Sequence, residues 1–414
     1  MLNGWVHELY VEPTFFFTYY GFDWVKPLSE PFLYLLFIAL ALSFLFQALG
    51  LFYRGASIFS FLAFTYIELL DKSNYLNHYY FVSIVCFLLI FVPAHRYFSV
   101  DVYRNPKLKV SHIPNYFILL FQFQLAIVYF YAGVAKLNYD WLVNALPLKI
   151  WLPSKSNLPL IGSFLQEEWL AYLFSWAGAL YDLVIPFLLF SKRSRAWAYF
   201  LVIIFHMLTY ALFQIGMFPF IMIGATLIFF SEGFHLRLID RMRKLLKRES
   251  TEIERAYNPI ISIKASLLIL CLFFMGQLIM PFRYLMYPDN LYWTEQGYRF
   301  SWRVMLMEKA GYAIFHVTEP KTQRSWEVNN DEFLKPNQEK MMSTQPDMIL
   351  QFAHHLKNHY QKEGIESPEV RGEVYVTLNG RPSQLYIDSS IDLTQIEENF
   401  AHKEWILPLK TQNQ

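Results

Sequence analysis

The sequence has little cysteine and little charge. Its two cysteines, Cys86 and Cys271, both sit inside apolar runs. A disulfide framework is therefore excluded, and the cysteines do not report the redox compartment. Charged residues make up 17% of the chain, against about a quarter in an ordinary soluble protein. Positive charge is not in excess either. The formal net charge is +1, so nothing in the overall balance argues for nucleic acid as a partner. There is no G-x-S-x-G, no P-loop, no GxGxxG after a strand and no CxxC, so the common signatures of hydrolases, nucleotide binding and thiol redox chemistry are missing. Repeats and low-complexity segments are absent, and Met1–Tyr10 lacks the basic start and apolar core of a signal peptide.

Apolar sequence is abundant instead. Hydrophobic residues reach 55% and aromatics 19%, a composition that excludes a disordered chain, a coiled coil or a collagen and points to a membrane protein. The charge is also unevenly spread. Residues 291–414 hold 13 Lys+Arg and 17 Asp+Glu, while the first 290 residues hold only 39 charges. This predicts a transmembrane helical domain over 1–290, carrying the site, and a soluble domain over 291–414.

Eight apolar runs occupy the front: Pro31–Phe52, Gly55–Leu70, Tyr79–Ala94, Tyr116–Gly133, Leu170–Phe190, Ala196–Gly216, Phe218–Phe230 and Ile263–Met280. A spanning helix needs about 20 apolar residues, so the second, third and seventh runs must borrow polar residues at their ends. Basic clusters at Arg96–Lys109, Lys192–Arg195 and Arg237–Arg248 follow the third, fifth and seventh runs. Such clusters stay on the cytoplasmic side, which places the N-terminus and the tail outside. The run Arg241–Arg248 also reads as an anionic-lipid or nucleic-acid patch, but cytoplasmic retention is the simpler account.

The tail mixes strand and helix signals. Tyr298–Met305, Tyr312–Thr318 and Glu373–Leu378 read as strands from their aromatic and β-branched content. Asn379-Gly380 predicts a hairpin turn with Gln384–Ile387 returning. Pro346–Glu363 reads as a helix, with Pro346 in the first turn, Gly364 at its end and Met348, Ile349, Phe352, Leu356 and Tyr360 on one face. The expected fold is thus an α-helical polytopic membrane bundle of about eight spans with a C-terminal extracytoplasmic α+β domain, β-rich.

Ionisable residues at membrane depth are costly and mark functional candidates. Five stand out: Lys136 after the fourth run, His78 at the start of the third, His95 at its end, Asp182 within the fifth and His206 within the sixth. Each also has a plainer account: a snorkelling lysine, an interface or loop histidine, a packed mid-span histidine, a paired aspartate. The topology favours two of them, because Lys136 and His78 fall on the same outer side as the tail. A buried amine loses the solvation of its charged form, which favours the neutral amine, a usable general base near neutral pH. A histidine can hydrogen-bond a developing anion. His355 and His359 stand at i, i+4 on the tail helix, a zinc-compatible spacing, but without the HExxH glutamate a solvated helix face is the better reading.

Several strings together resemble the vitamin K-dependent gamma-glutamyl carboxylase family, whose HTTM-type membrane part is also found in bacteria. They are IELLDKSNYLNHYY, AHRYFSVD, IVYFYAGVAKLNYDW, LYDLVIPFLLF and FHMLTYALFQIGMF in the front. In the tail they are WTEQGYRFSWRVML (Trp293–Leu306), LKPNQEKMMSTQPDMILQFA (Leu334–Ala353) and VYVTLNGRPSQLYIDSSIDL (Val374–Leu393). The resemblance runs in order from about Trp24 to Leu409. It implies an enzyme in which a lysine acting as neutral amine deprotonates a reduced vitamin K. Reaction with O₂ then generates a strong base that removes the γ-proton of a peptide glutamate, CO₂ adds to the carbanion, and the quinone leaves as its epoxide.

By resemblance the base is Lys136, where the family carries two adjacent lysines and this chain has Ala135 before Lys136. His78 supports the oxygenation step. His206, His95 and Asp182 are candidates for holding the quinol. Tyr298, Ser301 and Trp302 are candidates for the glutamate substrate. The implied cofactor is reduced vitamin K, a menaquinol or phylloquinol, with O₂ and CO₂ as co-substrates and no metal. The implied partners are a glutamate-containing polypeptide, membrane lipid and the lipid-soluble quinol, with no nucleic acid. The implied location is a bacterial inner membrane.

Relatives usually have one more hydrophobic helix ahead of the segment equivalent to Trp5–Phe22 and, in animals, a longer C-terminal extension and a membrane-to-tail disulfide. A compact bacterial form fits this chain. Two other functions compete: a quinone epoxidase that does not carboxylate, sharing Lys136 and His78, and a non-catalytic partner-binding membrane protein or transporter. The near-complete tail favours the carboxylase.

Overall fold

The computed structural model describes residues 3–159, 161–213, 215–245, 255–257 and 263–410. Gln214 of the sixth apolar run, and Lys247 and Arg248 of the third basic cluster, lie outside the described residues. Each of the eight apolar runs forms a helix: Glu30–Leu49, Tyr53–Leu70, Asn77–Phe91, Tyr116–Ala135, Glu168–Phe190, Arg195–Leu212, Phe218–Thr226 and Ile263–Ile279. Among the described residues, five helices are long and apolar enough to cross a membrane. A sixth crossing results if Phe218–Phe229 and Glu232–Leu245, bent by 110°, act as one. The Asn77–Phe91 helix, with 15 residues, is short for a span. Many large apolar side chains on these helices are exposed, among them Leu35, Leu42, Leu180, Phe187 and Leu268, which suits a surface solvated by lipid rather than water.

The two central helices are Tyr116–Ala135 and Glu168–Phe190. They meet closely at Gly133, where an added Cβ would lie 2.8 Å from the Leu183 backbone nitrogen. Glycine is needed there for lack of room. Pro186 lies inside the second helix. It has no N–H to offer the carbonyl four residues back, that of Asp182, so the helix is locally weakened beside that carboxylate.

The tail forms a four-stranded antiparallel sheet in the order β2-β1-β3-β4. The strands are β1 Lys309–Glu319, β2 Arg324–Glu327, β3 Glu369–Leu378 and β4 Gln384–Leu385. Its buried face alternates as a half-covered sheet requires: Ala313, Phe315 and Val317 on β1, and Val370, Val374, Val376 and Leu378 on β3. Against it lies the Pro346–Lys362 helix, burying Met348, Ile349, Phe352, Ala353 and Leu356. Phe17, far away in the chain, completes this core. Asn379 and Gly380 both have positive φ, 51° and 74°, as a tight type I′ hairpin turn demands.

One expected strand does not form. Tyr298–Met305 is irregular, with φ of 58° at Phe300, 59° at Trp302 and 53° at Met305, values no strand accommodates. Its aromatic residues pack into the bundle instead. Trp302 is 1% exposed and stacks on Tyr80 at 4.9 Å.

The tail sits firmly on one end of the bundle. Arg381 forks onto Asp140 with contacts of 2.7 and 2.8 Å, and Asn379 Nδ2 donates to the same carboxylate at 2.8 Å. Lys72 reaches Asp347 at 2.8 Å, and Gln338 donates to Asp71 at 2.7 Å. At the opposite end two of the basic clusters meet, with Arg243 over the rings of Tyr97 and Phe98 at 5.0 and 5.6 Å.

Candidate active site

Lys136 is the residue that closes the Tyr116–Ala135 helix, where the C-terminal end of the helix dipole favours a cation. It is 6% exposed. Its Nζ donates to Asp182 Oδ2 at 2.6 Å and to the Ala132 carbonyl at 3.2 Å, and it lies 5.3 Å from the centre of the Trp141 ring. The Trp141 indole is held by the Ser175 carbonyl at 2.8 Å, and its backbone N–H by Asn138 at 3.0 Å. The turn 136–141 is thereby pinned to the Glu168–Phe190 helix. Asp182 is 4% exposed. A buried ion pair this short is costly to break on one side only.

Deeper along the same helix, Tyr129 Oη and His206 Nε2 are 3.0 Å apart. The His206 ring lies 5.8 Å from the Phe218 ring, and the His78 ring lies 5.7 Å from the same ring. Tyr181, next to Asp182, stacks on Phe205 at 3.9 Å. Lys136 and Asp182 are therefore in contact, and His206 and His78 share one aromatic ring. His95 does not join them. It stacks on Tyr53 at 4.8 Å, at the other end of the Asn77–Phe91 helix from His78, about 20 Å away along the axis.

The three tail candidates occupy the loop that enters the bundle. Tyr298 Oη donates to the Arg303 carbonyl at 3.4 Å, and Ser301 Oγ donates to the Tyr298 carbonyl. Trp302 belongs to the apolar core of the bundle with Phe81 and Val128. Ser301 lines a cleft of about 180 Å³ together with Ala135, Leu137, Asn138, Tyr284, Tyr292 and Arg303. The sequence reading singled out neither Arg303 nor Trp141, although both lie inside the quoted strings.

Beside this loop the charges are paired. Arg299 binds Asp347 at 2.7 Å, and Lys309 binds Glu295 at 2.9 Å. Burial alone would raise the Asp347 carboxyl, but Arg299 and Lys72 outweigh it and hold it well below the usual carboxylate range. Burial pushes the Lys309 amine down against the pull of Glu295. Burial likewise works against the Asp140 carboxylate, and Arg381 and Asn379 overcome it, lowering that group. Among the described residues no group of three or more His, Cys, Asp and Glu gathers to hold a metal ion. His354 sits by the Leu393 carbonyl at 3.2 Å, and His359 pairs with Glu363 at 3.3 Å.

Two family models match the chain. The HTTM domain matches residues 1–234, and the lumenal domain of vitamin K-dependent gamma-carboxylase matches residues 263–412. No solved structure matches. A membrane part and an extracytoplasmic part of this kind occur here in one chain, in the order expected. The chain belongs to the vitamin K-dependent gamma-carboxylase family.

Proposed function

We propose that this protein is a vitamin K hydroquinone-dependent gamma-glutamyl carboxylase with epoxidase activity, in which Lys136 is the general base. The observation that carries this reading is the buried pair of Lys136 Nζ and Asp182 Oδ2 at 2.6 Å, set at the end of a membrane-depth helix on the side that carries the lumenal part.

The surroundings fit a hydroquinone. Tyr129, Tyr181, Phe205 and Phe218 supply aromatic walls around His206. His206 Nδ1 is buried without a hydrogen-bond partner, so a water, an ion or a ligand group can be accommodated there. A quinol hydroxyl is one such group. When bound, reduced vitamin K with O₂ supplies the strong base that no protein side chain offers.

The residues of the chain have separate tasks. Lys136 accepts a hydroxyl proton as neutral amine, and Asp182, in direct contact, takes the proton from the ammonium or holds it in place. Tyr129 fixes the His206 ring. His78, beside Phe218, serves the oxygenation step. Asp182 acts on the quinol through Lys136. The Tyr298–Leu306 loop bears on the glutamyl peptide, with Ser301 at the cleft and Trp302 anchoring the loop in the bundle. The reading carries an eight-crossing arrangement with the tail outside the cytoplasm, in a bacterial inner membrane.

The test is direct. Purified protein in detergent is given chemically reduced vitamin K, O₂, labelled bicarbonate and a glutamyl peptide. Label fixed in the peptide together with epoxide is the expected result. Epoxide without label, across peptides of varied flanking sequence, would replace the carboxylase by a quinone epoxidase.

A further inference from the structure

Four buried or half-buried cations in this protein have a carboxylate beside them: Lys136 has Asp182, Lys72 and Arg299 have Asp347, and Lys309 has Glu295. Arg303 does not. It is 7% exposed, and among the described residues no carboxylate oxygen lies within 4.0 Å of its guanidinium. Its Nε is buried with no hydrogen-bond partner. Its guanidinium carbon lies 4.5 Å from the centre of the Tyr284 ring, and the Tyr292 phenol is its hydrogen-bonding neighbour. A guanidinium keeps its charge in proteins, and a buried charge without a counter-charge is strongly disfavoured.

Arg303 also lines the cleft between bundle and lumenal part. Three of the other polar side chains there are committed. Asn138 Nδ2 donates to the Ala135 carbonyl and to Tyr292 Oη, Tyr292 Oη donates to the Ala135 carbonyl, and Ser301 Oγ donates to the Tyr298 carbonyl. That leaves the Arg303 guanidinium, its Nε without a partner and no carboxylate beside it, facing a small space with apolar or aromatic walls that include Tyr131, Val134 and Phe282. The combination suits a carboxylate on a short methylene stem. A guanidinium binds a carboxylate through two parallel hydrogen bonds, and the apolar wall takes the methylenes.

We infer that Arg303 anchors the γ-carboxylate of the glutamyl substrate in this cleft, and so selects glutamate over glutamine. This rests on the carboxylase reading above. The anchor and the base are distinct. The Lys136 amine turns to Asp182, while its chain neighbours Ala135 and Leu137 line the cleft. Loss of Arg303 therefore weakens peptide binding and leaves the proton chemistry at Lys136 in place.

The experiment measures equilibrium binding without turnover, using full-length protein in detergent and two dye-labelled pentapeptides that differ only in a central glutamate or glutamine. Wild type binds the glutamyl peptide about 10- to 100-fold tighter, the range for a charged hydrogen-bonded pair, and R303Q loses this preference. R303K, which keeps the charge without the fork, retains part of it. In the carboxylation assay the same variants raise KM for peptide more than they lower kcat.

Equal binding of the two peptides by wild type, or an unchanged preference in folded R303Q, overturns the assignment. If R303Q does not fold, R303K is read in the same way. A third arm titrates bicarbonate. If Arg303 governs bicarbonate competition but not the glutamate preference, the anion is bicarbonate and the glutamyl assignment falls. Arg303-dependent peptide binding without any labelled product contradicts the carboxylase reading alone. Labelled product with no role for Arg303 contradicts this inference alone.

Discussion

The Lys136 amine and the Asp182 carboxylate lie 2.6 Å apart, both almost fully buried, 46 residues apart in the chain. Their contact makes the lysine more than a desolvated amine, because its proton has an immediate second owner. Asp182→Asn keeps the shape and removes that owner. The expected result is a fall of carboxylation and epoxidation together, by about 100-fold or more if the carboxylate takes part in the general-base step. Asp182→Ala also leaves a buried ammonium unpaired, a loss of about 3–5 kcal/mol, whereas the Lys136→Ala/Asp182→Ala double variant is less destabilised than the aspartate variant alone. Thermal unfolding in detergent reads the second effect, and product formation the first.

The pair depends on how closely two helices approach. An added Cβ at Gly133 would lie 2.7 Å from Leu183 Cγ and 2.8 Å from the Leu183 backbone nitrogen. Gly133→Val therefore forces the Tyr116–Ala135 and Glu168–Phe190 helices apart and moves Lys136 away from Asp182. The expectation is a loss of activity exceeding the loss of stability, which overpacking sets at about 1–3 kcal/mol. Comparable activity in Gly133→Val and wild type would detach the chemistry from this helix contact.

Much of this arrangement was legible in the sequence. Each of the eight apolar runs is a helix, because an apolar run at membrane depth satisfies its backbone hydrogen bonds within itself. The Asn379-Gly380 turn was legible because few residues other than glycine and asparagine accept positive φ. Tyr298–Met305 misled. Aromatic content marks strands on average, but here Phe300 and Trp302 serve packing against Tyr80, and nothing local distinguishes the two uses. β2, RSWE, escaped notice as a short, mostly polar edge strand. At the site, Lys136 and Asp182 each stood out as ionisable residues in apolar surroundings, but their partnership did not, since pairing across 46 residues follows from tertiary packing alone. The same holds for Asp140 with Arg381, 241 residues apart.

Asp140 and Arg381 join the bundle to the sheet domain, with Asn379 as a third member. Arg381→Ala leaves the Asp140 carboxylate, which is partly buried, without its charged partner. The expected cost is about 1–3 kcal/mol. Amide exchange over Glu369–Leu385 increases, and the peptide KM rises. The Asp140→Arg/Arg381→Asp exchange restores part of both. Unchanged exchange in Arg381→Ala would mean that the domain is held by its other contacts.

Asp347 predicts an acid limit. Its folded-state carboxyl is held well below the ordinary range by Arg299 and Lys72, against burial, with Glu398 and Lys403 also facing it. A depressed carboxyl contributes stability that is fully present above its unfolded value, about pH 4, and is lost as the pH falls toward the folded value. The contribution of Asp347 to the junction of bundle and tail is therefore constant at neutral pH and weakens below about pH 4. Asp347→Asn flattens that dependence and leaves Arg299 and Lys72 short of a counter-charge at every pH. Unfolding midpoints across this range, for both proteins, check the sign. A junction that strengthens on acidification would contradict it.

Trp302 separates packing from substrate contact. Its side chain is 1% exposed and stacks on Tyr80. Trp302→Ala should cost about 3–5 kcal/mol, and Trp302→Phe far less. If Trp302→Phe folds normally and keeps the wild-type peptide KM, the residue anchors the loop. A large KM change in a stable Trp302→Phe would give it a direct part in binding peptide.

The central claim is that Lys136 is the base on which both products depend. The most direct measurement compares wild type, Lys136→Ala and Lys136→Arg in one assay that follows labelled carboxylate and vitamin K epoxide from the same reaction, with folding checked by thermal unfolding. The account predicts that both variants remain folded and lose both products together, by about 100-fold or more, the arginine failing because a guanidinium does not become a neutral amine. Either product formed at the wild-type rate by folded Lys136→Ala contradicts it.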